Sequence, residues 1–87
     1  MYYIVVYDIN TSRVGKVHKI LKQYLYWKQR SVFEGELTDR QLKELMKRLN
    51  RLINENEDSI CIYGVKSRAL LSFLCLGAEP EKDEMII

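Results

Sequence analysis

Asp8 is the residue of this chain that most invites chemistry, because of what precedes it. Six of the seven residues before it, in Met1-Tyr2-Tyr3-Ile4-Val5-Val6-Tyr7, are β-branched or aromatic, the composition of a strand. Both alternating faces of that run are apolar, which predicts a central strand covered on both sides. An acid at the end of such a strand lies along the sheet edge where ligands tend to bind in open α/β sheets. The next acid is Glu34, and between the two stand Arg13, Lys16, Lys19, Lys22, Lys28 and Arg30. A one-signed segment beside a lone carboxylate points to an anionic partner, with phosphate backbone the commonest kind. Arg13 and Arg30 are candidates to clamp a phosphate through their planar forks. Lys16, Lys19 and Ser31 are candidates to follow the nucleic-acid backbone. A plainer reading gives Asp8 only the task of capping the turn Ile9-Asn10-Thr11-Ser12 that leads into the next helix.

Other reactive residue types offer less. Cys61 and Cys75 lie fourteen positions apart in apolar surroundings and lack the paired spacing of a zinc site, so they are expected to be buried free thiols. His18 is the only histidine, which favours a partly buried structural role over metal ligation.

The elements that must position Asp8 can be read in order. Val14, Val17, Leu21, Tyr24 and Leu25 recur at helical spacing and predict a helix that faces a sheet and turns its lysines outward. Periodicity then changes: a short strand is predicted near Tyr26 to Gln29, an irregular step, and a longer strand from Arg30 to Leu37. Thr38-Asp39-Arg40-Gln41 matches a capping box. The helix it opens carries the stripe Leu42, Leu45, Met46, Leu49, Leu52 and Ile53, with Lys43, Lys47, Arg48 and Arg51 outside. After a polar loop, Ser59 to Val65 reads as another strand buried on both faces. Residues 67–77 fit either a short helix or an irregular apolar segment. The tail Met85-Ile86-Ile87 follows an acidic run and is expected to lie as a short strand on an exposed sheet edge.

Eighty-seven residues make one domain, 1–87, able to bury roughly 60 to 65% of its unfolded surface. An apolar content of 47% with 30% charged residues is ordinary for a globular protein. With the chain opening directly on a strand and no run of about 18 apolar residues, neither signal peptide nor membrane span is expected, and the cytoplasm is the expected compartment.

Strand, helix, strand pair, helix, strand is the split βαβ plan of the α+β, ferredoxin-like βαββαβ sandwich, here with an additional C-terminal strand. Two helices cover one side of a four-stranded sheet. The strands nevertheless look apolar on both, so a second copy related by a two-fold axis is expected to cover the other side. Tyr3, Val5, Tyr7 and Phe33, with Met85, Ile86 and Ile87, are the expected contacts in that homodimer.

The N-terminal Tyr-Ile-Val-Val-Tyr-Asp-Ile, the basic helix from Arg13, the segment Gln29-Arg30-Ser31-Val32-Phe33-Glu34-Gly35-Glu36-Leu37 and Asp58-Ser59-Ile60-Cys61-Ile62-Tyr63 together resemble the small CRISPR-associated adaptation protein Cas2 over nearly the whole chain. The resemblance implies a homodimer that joins dimers of the integrase Cas1 to capture DNA and insert it as a new spacer. It also implies a magnesium-dependent endonuclease acting on single-stranded RNA or double-stranded DNA. Asp8 matches the family's metal-binding acid, Arg13 a basic position opening the first helix, and Ser31 and Phe33 its Ser-Val-Phe motif. Met85-Ile86-Ile87 matches the tail that pairs with the partner subunit's sheet. One departure stands out: the first helix usually ends in a glycine-containing turn, and Leu25-Tyr26-Trp27-Lys28 has no glycine.

One carboxylate is a poor site for Mg²⁺, which wants six oxygens, but a two-fold axis near the strand ends would let two Asp8 side chains share one ion. Two functions follow: a hydrolase whose turnover needs Asp8, or a basic scaffold that grips duplex DNA without hydrolysing it. A third, a non-catalytic RNA-binding module with Tyr3 and Tyr7 stacking bases, lacks the signature glycine and aromatic pattern in Ser59 to Val65.

Overall fold

The computed structural model describes residues 1–77. Its elements are β1 (Tyr2–Asp8), α1 (Thr11–Lys22), β2 (Tyr26–Gln29), β3 (Val32–Glu36), α2 (Asp39–Leu52) and β4 (Ser59–Val65). The strands form one antiparallel sheet in the order β2-β3-β1-β4, so β1 is central, as its composition predicts. The expected terminal strand at Met85, Ile86 and Ile87 lies outside the described residues.

Two-residue alternation decides which side of each strand meets the helices. Tyr3, Val5 and Tyr7 of β1 and Phe33 of β3 are buried against Val17 and Leu21 of α1 and Leu45 and Leu49 of α2. These aromatic and branched side chains were expected at a contact between copies; they fill the chain's own core instead, because this is the side the helices cover. The opposite side carries Ile4, Val6, Cys61 and Tyr63. Val6 is 38% exposed and Tyr63 58%. The second face of β1 and β4, expected to be covered by a second copy, is left without helices in the single chain. Cys61, expected to be buried, is exposed on that uncovered side.

Local signals account for the ends of the elements. Asn10 caps α1, its side chain accepting from the backbone N–H of Ser12. At the far end of α1, Gln23 N–H donates to Ile20 and Tyr24 N–H to Leu21, tightening the last turn at three-residue spacing without a left-handed residue. That is how the helix turns into β2 without the glycine. The Thr38–Gln41 capping box is present in both directions. Met46 departs from the predicted stripe, since it sits half exposed on the flank of α2 beside the β4 edge.

Ser-Val-Phe-Glu-Gly has a packing explanation at Gly35, where an added Cβ would stand 3.1 Å from the Leu25 side chain. Past β4, only Arg68–Leu70 forms a turn of 3₁₀ helix, and the rest of the described segment is irregular. Phe73 lies against Lys28, whose Nζ is 5.2 Å from the ring centre, so this segment crosses the uncovered side of the sheet near β2.

Candidate functional site

The antiparallel registers place the end of β1, the β2–β3 turn and the loop before β4 at one end of the sheet, because Asp8 pairs with Ser59 and Tyr7 N–H donates to the Ser31 carbonyl at 3.1 Å. Asp8, Arg30, Ser31 and Arg13 all lie at this end. Lys16 and Lys19 do not; they sit further along α1 on its outer face.

Asp8 is exposed and belongs to the helix-free side, in phase with Ile4 and Val6. Its carboxylate makes no hydrogen bond or ion pair among the described residues, so it does not cap the turn into α1; Asn10 does. Arg30 adopts φ 34, a left-handed backbone at the tip of the hairpin. The Trp27 indole N–H fixes that tip by donating to the Arg30 carbonyl at 2.9 Å, leaving the Arg30 side chain exposed. β3 consequently starts at Val32, and Arg30 and Ser31 form the turn rather than the strand expected of them.

Arg13 is committed elsewhere. Its Nε donates to Asp58 Oδ2 at 2.6 Å, and its Nη2 donates to Glu57 Oε1 at 2.7 Å and to Asp58 Oδ1 at 3.1 Å. Asp58 also accepts from the backbone N–H groups of Asn10 at 2.9 Å and Asn54 at 2.8 Å. The Arg13 guanidinium, helped by those two backbone donors, holds the Asp58 carboxyl well below the usual carboxylate range. Hydrogen bonds to Asp58 and Glu57 hold Arg13 charged in return. Arg13, expected to clamp a phosphate, is thus part of the frame: it ties the start of α1 to the loop before β4 on either side of Asp8. Asp58 went unassigned in the sequence, although its place just ahead of a strand that begins beside Asp8 was a signal.

His18 takes the structural role expected of a lone histidine, its ring edge-on to Trp27 and Phe33 with centroids 5.1 Å from each. Burial, and secondarily Lys22, lowers its pKa. Tyr3 and Tyr7, 8% and 6% exposed, are closed off from base stacking.

Among the described residues no three acids, histidines or cysteines converge as a metal site. At the end of β1, Asp8 offers an exposed carboxylate with no hydrogen bond or ion pair among the described residues. Mg²⁺ is usually held by one or two carboxylates with waters and phosphate oxygens, so the donor set fits a site shared by two copies. No helix among the described residues is long and apolar enough to cross a membrane.

The class this defines is an α+β protein of ferredoxin-like plan, with two helices on one side of the sheet and, at the end of its first, central strand, an acid without a hydrogen-bond or ion-pair partner among the described residues. A family model described as CRISPR associated protein Cas2 matches residues 1–72. The CRISPR-associated endoribonuclease Cas2 of Thermotoga maritima is 43% identical over 86 residues, covering 99% of each chain. That of Pyrococcus furiosus is 44% identical over 87 residues, covering 100% of both. A crystal structure of Cas2 matches with a TM-score of 0.86 at 49% identity, over 100% of this chain and 98% of that one. The chain belongs to the Cas2 family.

Proposed function

We propose that the protein acts as a homodimer joined through the helix-free sides of its sheets, binds nucleic acid, and supports integration of new spacers together with dimers of the integrase Cas1. The observation that carries the reading is Asp8: exposed, without an internal partner among the described residues, and on the same uncovered side as the apolar Ile4, Val6 and Tyr63. A second copy seated on that side brings a second Asp8 toward the same sheet end. The open edge of β4 leaves backbone groups available for the tail Met85, Ile86 and Ile87 of that copy.

In this reading the Asp8 pair holds Mg²⁺ and the enzyme is a metal-dependent endonuclease. The ion, when bound, supplies a water of lowered pKa and offsets charge on a phosphodiester. Arg30 orients the phosphate from the hairpin tip, and the Arg13–Asp58 pair keeps the strand ends in place. The relatives' name, endoribonuclease, makes single-stranded RNA the first substrate to test, with duplex DNA second. Scaffolding of the integrase is the biological role and hydrolysis an accompanying activity. Asp8→Asn protein assayed with magnesium on both substrates, and separately for spacer acquisition, distinguishes the two. Loss of cleavage is expected with acquisition retained, and cleavage at the wild-type rate would remove Asp8 from the chemistry.

A further inference from the structure

The hairpin between β2 and β3 turns in two residues, Arg30 and Ser31, between the cross-strand pair Gln29 and Val32. Two-residue loops with a positive φ at their first position favour glycine there, because a Cβ is strained in that backbone. This chain places an arginine there at φ 34, the one non-glycine residue with a positive φ among the described residues. A conformation of that kind persists only where its surroundings over-determine it, and such residues cluster at functional sites. Two hydrogen bonds impose it here. The Trp27 indole N–H donates to the Arg30 carbonyl at 2.9 Å, and the N–H of Tyr7, the residue before Asp8, donates to the Ser31 carbonyl at 3.1 Å. Trp27 is located in turn by His18 of α1, edge-on to it with ring centres 5.1 Å apart, and His18 Nδ1 lies 3.4 Å from the Tyr7 hydroxyl. A register shift between Trp27 and Gln29 leaves Lys28 as the extra residue of a bulge, a device that re-aims side chains beside sites. A path of packed rings and hydrogen bonds thus runs from α1 to the loop, while the Arg30 side chain stays exposed.

We infer that Trp27 is a positioning residue for the Asp8 end of the sheet: its indole holds the Arg30 peptide in the left-handed conformation, and this fixes where the guanidinium meets a phosphate. The inference rests on the reading above that Arg30 orients a phosphate, and deepens it by naming what aims that arginine. A guanidinium gives paired hydrogen bonds to a phosphate only when its plane is correctly set. A tip already fixed in that setting therefore loses less on binding than one that must first be ordered. Trp27 acts through Arg30 and does not touch the ligand. With an aromatic ring kept at position 27 and the N–H removed, the tip is free to relax toward an ordinary negative φ. The guanidinium is then in place for only a fraction of the time, and the apparent affinity falls by that fraction.

The test is a double-mutant cycle on the full chain, with Trp27→Phe, Arg30→Gly and the two combined. Affinity is read by anisotropy with a short fluorescent single-stranded RNA in EDTA, so that no cleavage intervenes, and stability by thermal melts without RNA. Arg30→Gly is expected to weaken binding about tenfold, the loss of one charge-assisted contact, and Trp27→Phe about threefold. Trp27→Phe added to Arg30→Gly should weaken it no further. A side chain that only supported the fold would cost the same in both backgrounds; that result, or wild-type affinity in Trp27→Phe, would overturn the inference. In the melts Arg30→Gly is expected to raise the midpoint by about 4 to 8 °C, because glycine accepts the imposed conformation, and by distinctly less once Trp27→Phe has let the tip relax. Equal shifts in the two backgrounds would overturn the inference as well. If Trp27→Phe fails to fold by circular dichroism, Trp27→Leu takes its place under the same criteria. Wild-type protein that binds no RNA overturns the reading of Arg30 as a phosphate ligand, and this inference with it. Wild-type binding with independent losses at the two positions overturns only this one.

Discussion

Tyr63→Ala probes the uncovered side of the sheet where the proposed second copy would sit. Tyr63 lies on β4 opposite Ile4 and is 58% exposed in the single chain. A buried tyrosine covers about 150 to 250 Å², so a copy seated over it would remove roughly 90 to 145 Å² from water. At about 25 cal/mol per Å² this is about 2 to 4 kcal/mol per chain. A two-fold axis counts the residue twice, giving about 4 to 7 kcal/mol, or about three to five powers of ten in the dissociation constant. The monomer itself should lose only about 1 kcal/mol, the span of strand propensity. Sedimentation equilibrium over a concentration series reads both: wild type at twice the chain mass of 10.4 kDa, and the variant at the single mass. A variant that associates as tightly as wild type would refute the assignment of this side, and a wild-type monomer would refute the dimer.

Three further perturbations address the frame. Leu45→Ala, at a side chain with no exposure, is expected to cost about 2 to 5 kcal/mol in urea unfolding. Thr38→Ala removes the capping box and should cost about 1 kcal/mol in the same measurement. The Asp58 carboxyl is held below its ordinary range in the folded chain, so the stability it contributes is complete above about pH 4, the unfolded value, and declines as pH falls further toward the folded value. Thermal melts of wild type should therefore steepen in acid below that point, whereas Asp58→Asn should start less stable and show a weaker decline.

The legible parts of the sequence were those set by periodicity and local capping. The order of elements, the Thr38 box, the α1 stripe and the central place of β1 all follow from spacings within a few residues. What misled was identity without context. Tyr3, Val5, Tyr7 and Phe33 alternate with Ile4, Val6 and Val32, and an all-apolar strand does not reveal which phase its helices take. The helices cover the aromatic phase, so the surface left for a second copy is Ile4, Val6 and Tyr63. Arg13 looked like a phosphate ligand because nothing nearby in sequence opposes it. Its partners Glu57 and Asp58 stand 44 and 45 residues away and meet it only through the β1–β4 pairing. The spacing placed Arg48 and Arg51 outside the α2 stripe, but their approach to Lys16 and Lys19 depends on the packing of α1 against α2 and is not legible in it.

The central claim is that two chains jointly hold one ion between their Asp8 carboxylates. It is tested most directly by calorimetric titration of Mg²⁺ into wild-type and Asp8→Asn protein at concentrations where the dimer is complete. One ion per two chains in the wild type, and no binding in the variant, is the expected result. One ion per chain, or binding that survives the loss of the Asp8 charge, would contradict it.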